Sequence, residues 1–207
     1  ARSVLLNLGV QEARGRYLAY LDYDDVIYPD AYTLMVERLR KTGAAIAFAS
    51  VSVMHLEVYD RFFYTAERVT PPFAGKNLMD LFRNNFCPLH SYLIDREQVD
   101  PELISFNNGL LMEEDYDVLL RICARYASDF ELIGTDIGDY YYKTDGSNTV
   151  PMNNPMNART QELYKGVRTA IEHRKRITSV TDDVQRRLGI PPSPRPLSIR
   201  DVVERYA

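Results

Sequence analysis

Cysteine and histidine are scarce in this sequence of 207 residues, which holds 2 Cys and 3 His. Cys87 and Cys123 form no metal-ligand spacing, so both are expected to be reduced, partly buried small side chains. No apolar run reaches membrane-spanning length and no signal-peptide pattern opens the chain. The expected compartment is therefore the cytoplasm, with the cytoplasmic face of the membrane as the alternative. Internal repeats are absent. Positive charge is not in excess either: Lys plus Arg number 25 against 29 Asp plus Glu, a net charge of −4, which argues against a nucleic-acid partner. What remains is 45% hydrophobic and 26% charged, ordinary for a soluble fold. The length suits one domain with a real core, or one domain and an appendage.

The most informative stretch runs from Tyr17 to Pro29 and joins a short apolar segment to Asp22, Asp24 and Asp25. Residues 17–21 read as a strand buried on both faces, of the kind found in a mostly parallel sheet covered by helices. The acids then lie at the carboxyl end of that strand, where open α/β sheets collect ligands. If the segment is extended, Asp22 and Asp24 project to one side and offer hard oxygen donors to a divalent cation or a polyhydroxyl ligand. Mg²⁺ or Mn²⁺ suits such donors better than zinc. A calcium EF-hand is excluded, because counting from Asp22 places Ile27 where Gly is required and Thr33 where Glu is required. The competing reading is an acidic turn that caps the next helix.

The flanks of this stretch carry a resemblance. Arg2-Ser-Val-Leu-Leu-Asn7-Leu-Gly9, then Gly15-Arg-Tyr-Leu-Ala-Tyr-Leu-Asp22-Tyr-Asp24-Asp25, then Tyr28-Pro29-Asp30, resembles the family 2 glycosyltransferases in order and spacing. The resemblance implies a GT-A fold and inverting sugar transfer from a nucleotide-sugar. It also implies that the chain enters in mid-fold, with the first nucleotide-binding strands upstream. Arg2 matches a basic residue that approaches the diphosphate, although a solvated charge would read the same in the sequence.

Taken in order, residues 2–13 read as a helix with Leu5, Leu8 and Gly9 on one face and Gly15 ending it. Pro29 opens a second helix to about Lys41, with Ala31, Leu34, Met35 and Leu39 as its buried stripe and Gly43 as its stop. Residues 44–54 and 59–65 read as a central and an edge strand. Pro71 and Pro72 break the chain, and residues 78–82 form a short helix. The run Pro88-Leu-His90-Ser then leads into another strand, and by resemblance places His90 on the acceptor side. A satisfied structural histidine is the alternative, and His55 and His173 are read as structural or surface residues.

Residues 111–126 carry the second informative block. Asp115, Leu119, Ile122, Cys123 and Tyr126 share one helix face, so Asp115 heads an apolar stripe and points to the interior or a cleft. Asp117 and Arg121 read as an exposed i, i+4 pair. Glu114-Asp115, followed by Tyr-Asp-x-x-Leu-Arg, resembles the family motif that carries the catalytic base, which implies that Asp115 is the base and that Glu114 orients the acceptor or the base. The alternative is that these acids only complement the helix dipole, for about 0.3–1 kcal/mol each.

Residues 130–133 and 139–142 read as the last strands, and 143–148 as a turn. Many relatives hold a histidine near this turn; here Lys143 stands closest, suited to meet a diphosphate as a charge but not to ligate a metal. The expected organisation is a mostly parallel or mixed α/β domain over 1–150, the C-terminal portion of a GT-A unit. A helical extension over 151–207 follows, with a Pro-rich spacer at 191–196. Within it a linker over 151–157 precedes a basic helix over 158–177 with Leu163, Val167, Ala170 and Ile171 as its apolar face, and Thr181 and Ser198 cap two further helices.

The function expected on this reading is metal-dependent inverting transfer of a sugar to a hydroxyl of a glycan or lipid-linked glycan, in bacterial polysaccharide synthesis. Asp24 would hold Mn²⁺ or Mg²⁺, Asp22 and Asp25 would serve the donor, and Arg2 and Lys143 would meet its diphosphate. A nucleotidyltransferase of similar fold and a non-catalytic sugar-binding or scaffold domain stay open as alternatives.

Overall fold

A computed structural model describes residues 2–70, 75–143 and 158–207, with backbone alone for 158–160. Its centre is β3 (Ile46–Val58), which runs beside β6 (Ser128–Lys143) in parallel along nearly its whole length. On its other side β3 pairs antiparallel with β5 (Tyr92–Asp95) at its start and with β4 (Phe63–Val69) at its end. The edges are β1 (Tyr17–Ala19), antiparallel to β5, and β2 (Val26–Ile27), antiparallel to β6. The sheet is therefore mixed, with one parallel pair, and the first strand is a short edge rather than a strand enclosed in a parallel sheet.

Alternation along β3 sorts its side chains to two cores, as the period of two requires. Ala47, Ala49 and Val51 join Ala31, Met35 and Leu39 of α2 (Ala31–Thr42) on one face. Ile46 and Phe48 face the opposite, larger core under α3 (Leu78–Arg83) and α4 (Glu114–Cys123). Helix α2 ends as expected at Gly43, whose φ of 66° is left-handed and whose N–H donates to the Leu39 carbonyl. Leu34 leaves the expected stripe and lies at the surface.

Three further expectations need correction. In α1 (Arg2–Glu12) the inward face is Ser3, Leu6, Asn7 and Val10, spaced i, i+3, i+4 and i+7, whereas Leu5 and Leu8 are 71% and 53% exposed. Asn7 decides this rotation: its amide donates to the Phe106 carbonyl and its oxygen accepts from the Phe106 N–H. The expected edge strand 59–65 begins later, because the Tyr59 N–H donates to the Phe62 carbonyl and closes a hairpin turn there. The two expected last strands are one, β6, kept continuous through register shifts against β3 and a left-handed Gly134, φ 101°.

The C-terminal segment packs back on the larger core. Val167 and Ile171 of α5 (Ala158–Ile177), Val184 of α6 (Asp182–Arg187) and Ile199 and Val202 of α7 (Ile199–Tyr206) are buried in the same cluster as Phe48 and Leu119. The buried Lys175 is the polar bolt: its Nζ donates to the Arg83 carbonyl and stands 5.4 Å from the Tyr116 ring. Strands β7 (Ser179–Val180) and β8 (Leu197–Ser198) form a small separate ladder. Ser198 caps α7 in a reciprocal capping box with Asp201. Thr181 makes no side-chain cap and donates instead to the Arg125 carbonyl. Cys87 and Cys123 are free and buried. The Pro71-Pro72 break, the 144–148 turn and the 151–157 linker lie outside the described residues.

The close approach of β2 to β6 depends on Gly138, where an added Cβ would strike the Val26 carbonyl. Gly138→Ala is expected to cost about 1–3 kcal/mol, read as a lower denaturant midpoint at unchanged slope. Gly9, exposed in α1 with open space around it, is the contrast: Gly9→Ala is expected to stabilise by about 0.5–1 kcal/mol.

Candidate active site

Beyond β1 the chain does not stay extended. The Asp25 N–H donates to the Asp22 carbonyl at 3.1 Å and closes a turn, so the three carboxylates diverge instead of sharing one side. Asp22 Oδ2 accepts from Arg2 Nη2 at 2.6 Å. Asp24 Oδ2 accepts from Lys143 Nζ at 2.7 Å, and that ammonium also stands 5.5 Å from the exposed Tyr23 ring. Asp25 turns inward, with a side chain only 3% exposed. Its Oδ1 accepts from the Tyr141 N–H at 3.0 Å, and its Oδ2 faces His90 Nδ1 at 3.2 Å.

His90, expected on the acceptor side, is enclosed behind this turn with no side-chain exposure and lies 6.4 Å from the Tyr140 ring. Sequence patterns carried no sign of the His90, Asp25 and Tyr141 cluster, because it joins three segments distant along the chain. The turn is then held to the sheet from its far side. Tyr28 donates to Asp139 at 2.9 Å, Arg68 donates to the Tyr28 hydroxyl at 2.8 Å and to Asp136 at 2.7 Å, and the fully buried Ser52 donates to the same Asp136 at 2.6 Å.

The second acidic block meets the first through Arg2. Its Nη1 donates to Glu114 Oε1 at 3.1 Å while Nη2 holds Asp22, so one guanidinium joins carboxylates 92 positions apart in the chain. Glu114 is 1% exposed, and its Oε2 has no partner among the described residues. Asp115 follows at the N-terminal turn of α4, where its Oδ1 accepts its neighbour Tyr116's N–H at 2.7 Å. Protein closes round Asp115 on most sides, yet the residue keeps some exposure. Burial, with Glu114 adding, pushes its pKa up to about 7 against the pull of the Tyr116 N–H and Arg2. Asp22 also lies above the ordinary carboxylate range, since burial outweighs Arg2 and the neighbouring Asp25 and Asp24 add to it.

The residue ahead of this pair is strained. Glu113 has φ 56°, the left-handed region that a glutamate rarely adopts, at a cost of about 1–3 kcal/mol. No glycine or asparagine marked it in the sequence. Helix α4 is also buried nearly all round rather than along one stripe. Asp117, expected at the surface, is 2% exposed and shared by Arg121 Nε at 3.0 Å and Arg174 Nε at 2.6 Å. The basic helix α5 supplied the second cation, which the i, i+4 spacing could not reveal.

Among the described residues no group of three or more His, Cys, Asp or Glu gathers to hold a metal. Asp22 and Asp25 are committed to Arg2 and to the Tyr141 N–H. Asp24 accepts from Lys143 at one oxygen, and its side chain is 31% exposed against 34% for Asp22. One carboxylate plus phosphate oxygens and water is a shell that Mg²⁺ accepts. The donor set therefore fits a cation that arrives with a diphosphate, sharing Asp24 with Lys143.

The sequence profile of glycosyl transferase family 2 matches residues 2–99. The match covers just under half of the chain, so the chain is similar to this family over that stretch. Succinoglycan biosynthesis protein ExoO of Rhizobium meliloti (strain 1021) is 32% identical over 125 residues, which are 57% of this chain and 36% of ExoO. The crystal structure of S. aureus TarS 1-349 in complex with UDP-GlcNAc superposes with a TM-score of 0.51 at 11% identity, covering 86% of this chain and 47% of TarS. The complex of the same protein with UDP gives 0.48 at 10% identity over 86% and 46%. At these identities the likeness to TarS is one of fold, the mixed sheet flanked by helices. The chain spans about a third of ExoO and just under half of the TarS chain. The family 2 stretch contains Arg2, the Asp turn and His90, while Glu114, Asp115 and Lys143 lie beyond it.

The raised Asp115 carboxyl has a consequence for stability. With a folded pKa near 7 against 3.8 when unfolded, the native state holds the extra proton between those values, so stability falls as pH rises through that window. Each unit of the shift is worth about 1.4 kcal/mol, or about 3–6 °C in Tm for a chain of this size. Asp115→Asn removes that penalty. Its Tm relative to the parent should be higher at pH 8 than at pH 5, and an equal gap at both pH values would show that the carboxyl is not perturbed.

Proposed function

We propose that this chain is the acceptor-side portion of a glycosyltransferase that moves a sugar from a nucleotide-sugar donor to a hydroxyl of a growing polysaccharide, with inversion. The observation that carries this reading is the Arg2 bridge between Asp22 and Glu114. It puts the donor-type acids of the Asp turn beside a carboxylate pair whose second member is poised to take a proton near neutral pH. The match of residues 2–99 to glycosyl transferase family 2 supports the donor class, as does the fold shared with TarS, which was crystallised with UDP-GlcNAc. The polysaccharide setting is supported by the likeness to a succinoglycan biosynthesis protein.

The reaction is a single in-line displacement. The acceptor oxygen forms its bond to the anomeric carbon from the face opposite the nucleotide, the bond from that carbon to the diphosphate oxygen breaks, and the acceptor proton passes to Asp115 Oδ2. No donor among the described residues reaches that oxygen. Glu114, kept in place by Arg2, raises the basicity of Asp115 and aligns it. Asp22 contacts the ribose or the donor sugar, and Asp25 pins the turn to β6 through the Tyr141 N–H with His90 behind it. Arg2 and Lys143 supply positive charge for the diphosphate. Asp24 would hold Mg²⁺ or Mn²⁺ together with that diphosphate, and the ion's chemistry there is to offset charge on the leaving group.

The assignment is tested on Asp115→Asn in a full-length enzyme that contains this chain, with Glu102→Gln as the control because Glu102 is exposed. Donor affinity should stay within about twofold while sugar transfer falls by about 10²-fold or more. In the parent the rate should climb with pH and level off above about 7, as the carboxyl loses its proton. Near-parental transfer by Asp115→Asn would reject the base. For the cation, Asp24→Ala should abolish any dependence of donor binding on Mn²⁺, and unchanged Mn²⁺-dependent binding in that variant would remove Asp24 from the role.

A further inference from the structure

Away from the Asp turn, the C-terminal segment and the far end of α4 enclose a cavity of about 710 Å³ that the proposed transfer does not use. Its wall holds four guanidiniums, from Arg121 in α4, Arg125 just beyond it, Arg174 in α5, and Arg195 in the spacer before β8. The hydroxyl of Ser179 and the carboxylate of Asp182 complete the lining used here.

Arg121 is spent on the protein. Its Nε is held by Asp117 Oδ2 at 3.0 Å, its Nη1 by the Glu102 carbonyl at 3.3 Å, and its Nη2 by the Ser105 carbonyl. The other three are not. Arg174 commits its Nε to Asp117, and none of the described residues accepts from its terminal amino groups. The guanidiniums of Arg125 and Arg195 make no hydrogen bond or ion pair among the described residues, and both residues are exposed.

Against these four cations stand the buried Asp117 beneath the wall and Asp182 on it, with Asp201 close enough to feel Arg195, so the wall keeps a positive excess. The crowding is felt at Arg121, held below the ordinary guanidinium value first by burial and then by Arg174 and Arg125, against the opposing pull of Asp117. Several guanidinium forks and a hydroxyl lining one cavity offer more donors to the oxygens of a tetrahedral dianion than a planar carboxylate with one charge can use. The site is concave and set between packed elements, which suits a discrete ligand and not a flat lipid surface.

We propose that this cavity is a binding site for a phosphate dianion, free or as the phosphate of a sugar phosphate, gripped by Arg125, Arg174 and Arg195. Binding there ties the spacer and β7 to the end of α4, so ligand adds to the stability of the folded chain by mass action.

The test uses the full chain and inorganic phosphate at constant ionic strength, followed by calorimetry and thermal unfolding. Saturable binding is expected, with a rise in Tm of about 2–4 °C. The double variant Arg125→Ala/Arg195→Ala removes two exposed, unpaired side chains. It should keep the parental Tm without phosphate and lose about tenfold or more in phosphate affinity. Asp182→Asn should tighten binding. Glucose 1-phosphate against glucose distinguishes a phosphate carried on a sugar from a site that takes the free ion alone. Equal phosphate responses in parent and double variant would overturn the proposal, as would a response reproduced by chloride at the same ionic strength. Arginine-dependent capture by vesicles of anionic lipid without saturable phosphate binding would overturn it too. Sugar transfer is not read in any arm, so failure of the transfer mechanism leaves this site untouched and the reverse also holds.

Discussion

The parallel pairing of β3 with β6 is the constraint on which the rest of the molecule hangs. Both strands are long, and the pairing continues from Ile46 beside Ser128 to Leu56 beside Lys143. The early half of β3 is covered by β5 and the late half by β4, so one strand supports two different neighbours along its length. Its alternation then assigns α2 to one face and the α3, α4 and C-terminal layer to the other. Lys143, at the end of this pairing, reaches Asp24, and Tyr141 two positions earlier reaches Asp25. The geometry of the Asp turn is therefore a consequence of how far β6 runs beside β3.

Buried ion pairs hold the ends of this framework. Arg16 grips Asp95 with two parallel bonds of 3.0 and 2.8 Å, tying the chain before β1 to the end of β5. Burial pushes the Asp95 carboxyl up, yet Arg16, Gln98 and the Glu97 N–H together hold it below its ordinary value. Arg38 grips Asp129 with the same bidentate geometry, its bonds of 3.1 and 2.7 Å joining α2 to β6. Paired, bidentate carboxylates of this kind tolerate burial because each oxygen has a donor. The contrast with Glu114 and Asp115 is physical: there burial exceeds the donors available, and the surplus appears as a raised pKa at Asp115 rather than as stability.

Much of this was legible in one dimension. The stop of α2 at Gly43, the Ser198 cap and the strand at 92–95 each rest on chemistry within a few residues, and each lies where local rules put it. The first acidic block was legible as a candidate because its flanks keep an ordered pattern over nearly thirty residues, and the second because Glu114-Asp115 opens a short motif of its own. What failed were inferences from one face of one element. Leu5 and Leu8 are as apolar as Leu6, and only the Asn7 bonds to Phe106 across the fold choose which of them turns inward. Asp117 looked like half of a surface pair until α5 brought Arg174 against it.

Sequence alone determined the residue types at the site, their order, and the helices and strands that carry them, because propensity, capping and periodicity are short-range. Tertiary structure alone decided which charges meet. Arg2 could have been a solvated terminus, and it becomes a bridge because β1 and α4 converge on it. Asp22 and Asp24 could have shared a cation in an extended strand, and they part because a turn closes where β1 has no further partner. The pKa of Asp115 is likewise set by desolvation and by Glu114 held in place by an arginine 112 positions away. Such effects depend on distance in space and on excluded water, and neither quantity is written in the order of the residues.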